Sequence, residues 1–204
     1  TRLNLQRTAR IIGDKMEEYA QPYRFFEAPF ATANGNIYLE EPTRNDFQVA
    51  IRSEAGMEYD FLGKTLVLKD LDADLIFEGE TLKIRPRKAV TLFDGKLLGD
   101  LDLKLAGKSP YQADLTLTQC DFGDLMNTFF GGENVEGRID VAATLSGELE
   151  DLSSMDGEGD LTIIDGVLYS IPVFGTFSEI LNNFSPELGY SQADKAEAKF
   201  TIEN

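Results

Sequence analysis

The chain has 204 residues, 42% hydrophobic and 27% charged, enough apolar content to bury a core and too much for a disordered segment. Its formal charge of −17 repels nucleic acid and gains nothing from an anionic membrane face, which excludes both as partners. With no histidine, no tryptophan and one cysteine, it has no Ser-His-Asp or Cys-His arrangement, no histidine metal site and no internal disulfide.

The first element is a helix. Leu5, Ala9, Ile12, Met16 and Tyr19 recur at helical spacing on one stripe, and Pro22 ends it. Its polar face mixes Arg7, Arg10, Asp14, Lys15, Glu17 and Glu18, whereas a membrane-surface helix is more uniformly basic, so it is expected to pack on a neighbour. We set residues 1–24 apart as this amphipathic helix and read 25–204 as one β module.

From there the period changes from 3.6 to 2. Alternation appears at Phe47, Val49, Ile51, at Ala73, Leu75, Phe77, at Leu101, Leu103, Leu105, and at Leu115, Leu117. It returns at Ile139, Val141, Ala143, Leu145, at Leu161, Ile163, and at Phe200, Ile202. Asn34-Gly35, Asp94-Gly95, Gly131-Gly132 and Asp165-Gly166 are the dipeptides that supply positive φ in tight hairpins. Asp100, Asp102 and Lys104 alternate with the leucines, so one face meets water and the other does not. The pattern predicts a mostly-β fold built on an antiparallel meander.

Two short helices interrupt the strands. Asp121 can N-cap a turn carrying Phe122, Leu125, Met126, Phe129 and Phe130, with Gly131 past its end. The second follows Pro172 and presents Val173, Phe174, Phe177, Ile180, Leu181 and Phe184. Both are too short to stand alone and need an apolar surface, for which the sheet face is the obvious one.

Little chemistry is written in the side chains. Cys120 reads as a small buried hydrophobe with no histidine to activate it. Asp70, Asp72 and Asp74 open like a calcium loop, but Leu75 and Thr81 stand where that loop needs Gly and Glu, so they read as the wet face of a strand. Asp156-Gly-Glu158-Gly-Asp160 wraps a cation or simply turns into the strand from Leu161. Among 36 acidic residues some pair falls at a glycosidase's carboxylate spacing by chance, so that criterion selects nothing. No catalytic residue, metal or cofactor is assigned. A chain this poor in cysteine fits the cytoplasm and the bacterial periplasm equally. It opens at Thr1 and stops at Asn204 after a strand-like stretch, and reads as part of something longer.

Three glycine-bounded segments share one plan: Gly99 to Gly107, Gly137 to Gly147 and Gly159 to Gly166. Together with Tyr111-Gln-Ala-Asp-Leu-Thr-Leu, Phe122-Gly-Asp-Leu-Met, Leu168-Tyr-Ser-Ile-Pro-Val-Phe174 and Lys199-Phe-Thr-Ile-Glu-Asn204, they form an ordered set. From about Leu97 onward this set resembles the C-terminal region of the AsmA-like family, the group of TamB- and YhdP-type proteins. The resemblance covers roughly half the chain and leaves the first ~95 residues unassigned; the family pattern would continue past Asn204. It implies a long, curved sheet forming an open groove with an apolar inner face, in a periplasmic bridge anchored in the inner membrane that moves phospholipid towards the outer membrane. On that reading the acyl-chain track is Leu101, Leu103, Leu105, Leu115, Leu117, Ile139, Val141, Leu145, Leu161 and Ile163. The helix from Val173 to Phe184 would cap one mouth, and the partner is a phospholipid or other acyl lipid. Any membrane contact would come from parts of a longer parent chain. Two other readings stand beside it, a non-catalytic envelope scaffold with a closed core and an acid-dependent hydrolase. An open apolar strip favours lipid; a sealed interior favours scaffold.

Overall fold

The computed structural model describes residues 2, 4–12, 14–38, 40–131, 135–149, 151–168 and 192–203. The chain opens with two helices, α1 (Leu5–Ile12) and α2 (Asp14–Ala20), where the apolar stripe predicted one. Gly13 stands between them in sequence, and glycine costs about 1 kcal/mol relative to alanine inside a helix. Asn4 starts α1 by accepting a hydrogen bond from the Arg7 backbone N–H at 2.9 Å. The Arg10 guanidinium reaches across to Glu17 at 2.9 Å and ties the two helices together. Ala9 and Ala20 are buried, and the Tyr19 hydroxyl hydrogen-bonds the hydroxyl of the fully buried Ser109. The Tyr19–Ser109 bond ties α2 to the loop between β9 and β10, and Gln6 donates to the Tyr23 carbonyl of β1 at 2.8 Å.

Thirteen strands follow among the described residues: β1 (Tyr23–Phe25), β2 (Phe30–Asn36), β3 (Asp46–Ser53), β4 (Met57–Phe61), β5 (Lys64–Leu68), β6 (Leu71–Glu78) and β7 (Thr81–Pro86) in the first half. The second half holds β8 (Val90–Leu92), β9 (Gly95–Lys104), β10 (Pro110–Asp121), the helix α3 (Phe122–Phe130), β11 (Val135–Glu148), β12 (Asp151–Leu168) and β13 (Gln192–Ile202). Strands β1, β4 and β5 form a small sheet in the order β1-β4-β5. The other ten form one large sheet in the order β13-β12-β11-β10-β9-β7-β6-β3-β2, with β8 paired to β9. Every pairing in both sheets is antiparallel. The protein is mostly β, and the alternating segments of the sequence all fall on strands, except that Leu105 lies one residue beyond β9.

The turn dipeptides are where the structure departs from the sequence reading. Asn34-Gly35 is not a hairpin: both residues lie inside β2, and Gly35 (φ +120°) faces Phe47, whose Cβ would lie 2.9 Å from any side-chain carbon placed there. The β8–β9 hairpin does turn tightly, but Phe93 and Asp94 carry the positive φ (47° and 56°), and Gly95 is already in β9. Glycine is needed there for another reason, because a Cβ would lie 2.5 Å from the Cys120 Cα. Gly131 caps α3 in the left-handed conformation (φ 67°) and is no hairpin residue; Gly132 lies outside the described residues. Asp165 (φ 52°) sits inside the 18-residue β12, where the chain is irregular and does not reverse. The Asp156–Asp160 stretch, read as a turn or a cation loop, is likewise continuous strand. Asp70 (φ 61°) stands just before β6, not on its wet face.

Helix α3 forms as its caps dictate. The Asp121 carboxylate accepts from the Asp124 N–H at 2.9 Å, and the Gly131 N–H donates back to the Asn127 carbonyl at 3.2 Å. Just before it β10 carries a bulge at Gln119 (φ 53°), held by Asp140, which accepts the Gln119 N–H at 2.6 Å. The extra residue returns Cys120 to the face that Leu117 occupies, opposite Ile139.

The small sheet is held on its outer side by Arg24. Its guanidinium spans Glu58 (3.0 Å) and both oxygens of Asp60 (2.7 Å to Oδ1), and lowers the Asp60 carboxyl from 3.8 to about 2. A depressed carboxylate pKa stabilises the fold in full above about pH 4, and that contribution is lost as pH falls from about 4 to about 2. In Arg24→Gln the Asp60 midpoint is expected to return towards 3.8, read by carboxyl-carbon NMR titration; an unchanged midpoint would assign the shift to another group.

Candidate functional site

Register turns the local alternations of the large sheet into one surface. Residues directly paired across antiparallel strands share a face. Starting at β2, the pairs run Ala33, Val49, Leu75, Ile84, Leu101, Ala113, Leu145, Gly157 and Ile202. This row crosses nine strands without a polar side chain. Beside it lie Phe47, Phe77, Leu82, Leu103 and Tyr111 on one flank. On the other flank are Leu115, Ala143 and Phe200, then Leu117, Val141, Leu161 and Ala198, and last Cys120, Ile139, Ile163 and Ala196.

Nine of the ten predicted track residues fall on this face within strands, and Leu105 follows them just past the end of β9. They differ in cover. Ile139, Ile163 and Leu103 are buried (5%, 2% and 6% exposed), whereas Leu101, Leu105, Leu115, Leu117, Val141, Leu145 and Leu161 are half-buried. The sequence reading missed the first-half members of the face. Leu82 and Ile84 on β7 were legible as alternation, and Val49 and Leu75 were seen as strand residues but could be joined to the track only through strand order.

One end of the face is closed. Phe122 and Met126 of α3 bury Cys120, Ile139, Ile163 and Ala196 in one cluster with Val135. Next to it Met57, Leu66, Leu68 and Leu92 form a second cluster, against which Leu97 and Phe129 pack. Rings step through this junction, with Tyr23 stacked on Tyr59 (4.8 Å), Tyr59 on Phe61 (5.9 Å) and Phe61 edge-on to Phe129 (6.4 Å). At the opposite side Phe47 and Phe77 stack at 4.3 Å and are buried. Between the two, three strand glycines floor the face. A Cβ on Gly99 would meet Leu115 Cδ2 at 2.4 Å, one on Gly157 would meet Leu145 Cδ2 at 2.6 Å, and one on Gly159 would meet the Phe200 ring at 2.6 Å. These side chains lie flat on the sheet, which leaves a shallow, half-buried strip. The face is neither wholly open nor sealed. The predicted capping residues Val173, Phe174, Phe177, Ile180, Leu181 and Phe184 lie outside the described residues.

The opposite face is an ion-pair lattice. Arg87 chelates Asp74 (2.8 and 2.6 Å), and Arg85 donates to Asp102 and to the Leu101 carbonyl (3.0 Å). A cavity of about 650 Å³ lies on this side, lined by Asp100, Asp114, Thr116, Thr144, Glu158, Asp160, Lys199 and Thr201 among others. Three of its acids have partners: Asp114 accepts from the Thr144 hydroxyl at 2.8 Å, Asp160 sits 3.4 Å from Lys199, and Asp100 lies 3.8 Å from Arg85. A polar hollow on the wet side was not foreseen from periodicity, which reports faces but not curvature.

Nucleophilic chemistry finds no support in Cys120, which is fully buried with its thiol pushed up to about 12 by burial. Among the described residues no three His, Cys, Asp or Glu side chains gather as a metal site, and no helix is long and apolar enough to cross a membrane. Comparison with known proteins finds no matching family model, no similar curated protein and no similar solved structure.

Proposed function

We propose that the chain is an acyl-lipid-binding module that holds hydrocarbon chains along the apolar face of its large sheet and works in a bacterial envelope as part of a phospholipid-conducting bridge. The observation that carries this reading is the nine-strand row from Ala33 to Ile202, apolar throughout and half-buried at Val49, Leu75, Ile84, Leu101 and Leu145. The resemblance of the second half to the AsmA-like pattern supplies the substrate class and the periplasmic setting. Each buried methylene contributes ~0.8 kcal/mol, so the gain grows with the length of chain laid on the face, offsets the entropy lost on binding, and needs no polar contact. The headgroup stays in water, which makes the site tolerant of headgroup type.

Titration with a fluorescent fatty acid, beside native mass spectrometry of protein extracted in mild detergent, tests the reading. Wild type is expected to take up ligand. Leu101→Asp combined with Leu145→Asp, two half-buried positions of one row, is expected to weaken uptake at least tenfold, about 1.4 kcal/mol. Leu98→Asp, on the polar face and already exposed, is the control and is expected to bind as wild type does. Recovery of ligand-free wild type with no uptake sinks the proposal.

A second reading has its own observation. The glycine floors under Leu115, Leu145 and Phe200 fill part of the strip from within, as an envelope scaffold with a plain core would. Lipid uptake by wild type, abolished by the paired aspartates, decides between them.

A further inference from the structure

The apolar strip is also buried at a place that neither core cluster reaches. Leu103 and Ala113 are each 6% exposed, yet they belong neither to the cluster under α3 nor to the one under the small sheet. The element anchored beside them is α2. Its Tyr19 hydroxyl bonds the hydroxyl of Ser109, two residues before Tyr111, which pairs with Leu103 on the apolar face. Four residues after Tyr19, Tyr23 packs against the cluster that Leu97 also meets, at the other end of β9. Between these anchors α2 and the turn after it, with Ala20 buried, lie over the apolar face of β9 and β10. Ser109 itself is fully buried in the left-handed conformation (φ 56°), which glycine takes freely and serine takes at a cost; Gly107 has a similar φ (65°) two residues earlier. What serine adds there is the hydroxyl that meets Tyr19. The loop fixes it in place, because the Ser109 N–H donates to the Ala106 carbonyl at 3.3 Å and its carbonyl accepts the Leu149 N–H at 3.0 Å. The catch is rigid, whereas helices of eight and seven residues are too short to be stable alone.

We infer that α1 and α2 form a displaceable clasp on the strip: the Tyr19–Ser109 bond latches α2 over Leu103 and Ala113, and an acyl chain takes that place when the latch opens. The pivot is the run of chain into β1, steadied by exposed Gln6, which donates to the Tyr23 carbonyl at 2.8 Å. The Arg10–Glu17 bond keeps the two helices together as they move. The clasp rests on the lipid reading for its competitor, but the latch can be observed without lipid.

Hydrogen exchange of the whole chain, read by mass spectrometry with and without a fluorescent fatty acid, tests the inference. Ser109→Gly removes the hydroxyl and relieves the backbone. Without lipid it is expected to speed exchange in α1 and α2 at least twofold, the scale of one hydrogen bond, and to leave β9 and β10 as in wild type. Tyr19→Phe gives the same gain, and the double variant gives no more than either change alone, because both remove one shared bond. Fatty acid is expected to speed exchange in α1 and α2 of wild type, and Ser109→Gly is expected to bind it at least twofold more tightly. Fatty-acid uptake by wild type with unchanged exchange in α1 and α2, or latch variants that exchange as wild type does, overturns the clasp without touching the lipid reading. Faster exchange in both latch variants with no uptake by any of them upholds the latch and overturns the lipid reading instead.

Discussion

Ile163→Asp is expected to abolish cooperative folding. Ile163 is 2% exposed, lies opposite Ile139 and Ala196 on neighbouring strands, and is sealed by Phe122 and Met126 of α3. A carboxylate there has no cation in its cluster, and an unpaired buried charge costs several kcal/mol, a large share of the ~5–15 kcal/mol that holds a domain together. Ile163→Ala, which leaves only a cavity, is expected to cost about 2–5 kcal/mol. Urea denaturation followed by circular dichroism reads both. An aspartate variant with wild-type midpoint would show that α3 does not seal this end of the apolar face.

Gly56→Ala is expected to cost about 3 kcal/mol or more, with backbone strain and overlap acting together. Gly56 (φ +89°) turns the chain from β3 of the large sheet into β4 of the small one. A Cβ there would lie 2.0 Å from the Leu68 carbonyl oxygen, and that oxygen belongs to backbone that cannot rotate away. The buried Ser53 clamps the same turn, accepting the Gly56 N–H at 3.1 Å, and Phe26 donates to the Gly56 carbonyl at 3.2 Å. The substitution therefore loosens the packing of Met57, Leu66 and Leu68 of the small sheet on Leu92 of β8. Chemical denaturation measures the loss, and hydrogen exchange at β4 and β5 locates it. Unchanged protection in those strands would mean that the turn relaxes without strain.

The sequence was most informative where a rule is local. The caps of α3 are legible because Asp121 and Gly131 act within one turn of the helix, and the long strands are legible because period 2 separates their two faces residue by residue. Glycine was the main source of error. At Asn34-Gly35 and Asp165-Gly166 a dipeptide that fits a hairpin lies inside a strand, and at Gly95, Gly99, Gly157 and Gly159 the missing side chain makes room for a neighbouring strand. That second use depends on what lies across the sheet, and no local pattern announces it. The short strands β4, β5 and β8 carry too few alternations to stand out, and their cluster of Met57, Leu66, Leu68 and Leu92 exists only because the small sheet folds onto the start of β9.

By itself, the order of residues determined that this is a mostly-β chain with one dry and one wet face, that α3 begins and ends where it does, and that histidine-based chemistry is absent. Only the tertiary structure decided which alternating segments sit side by side, which end of the apolar face α3 closes, and that the sheet hollows on its polar side. The physical reason is range. Propensity, capping and alternation act within a few residues, whereas strand order, register and cover come from contacts between segments that lie far apart along the chain.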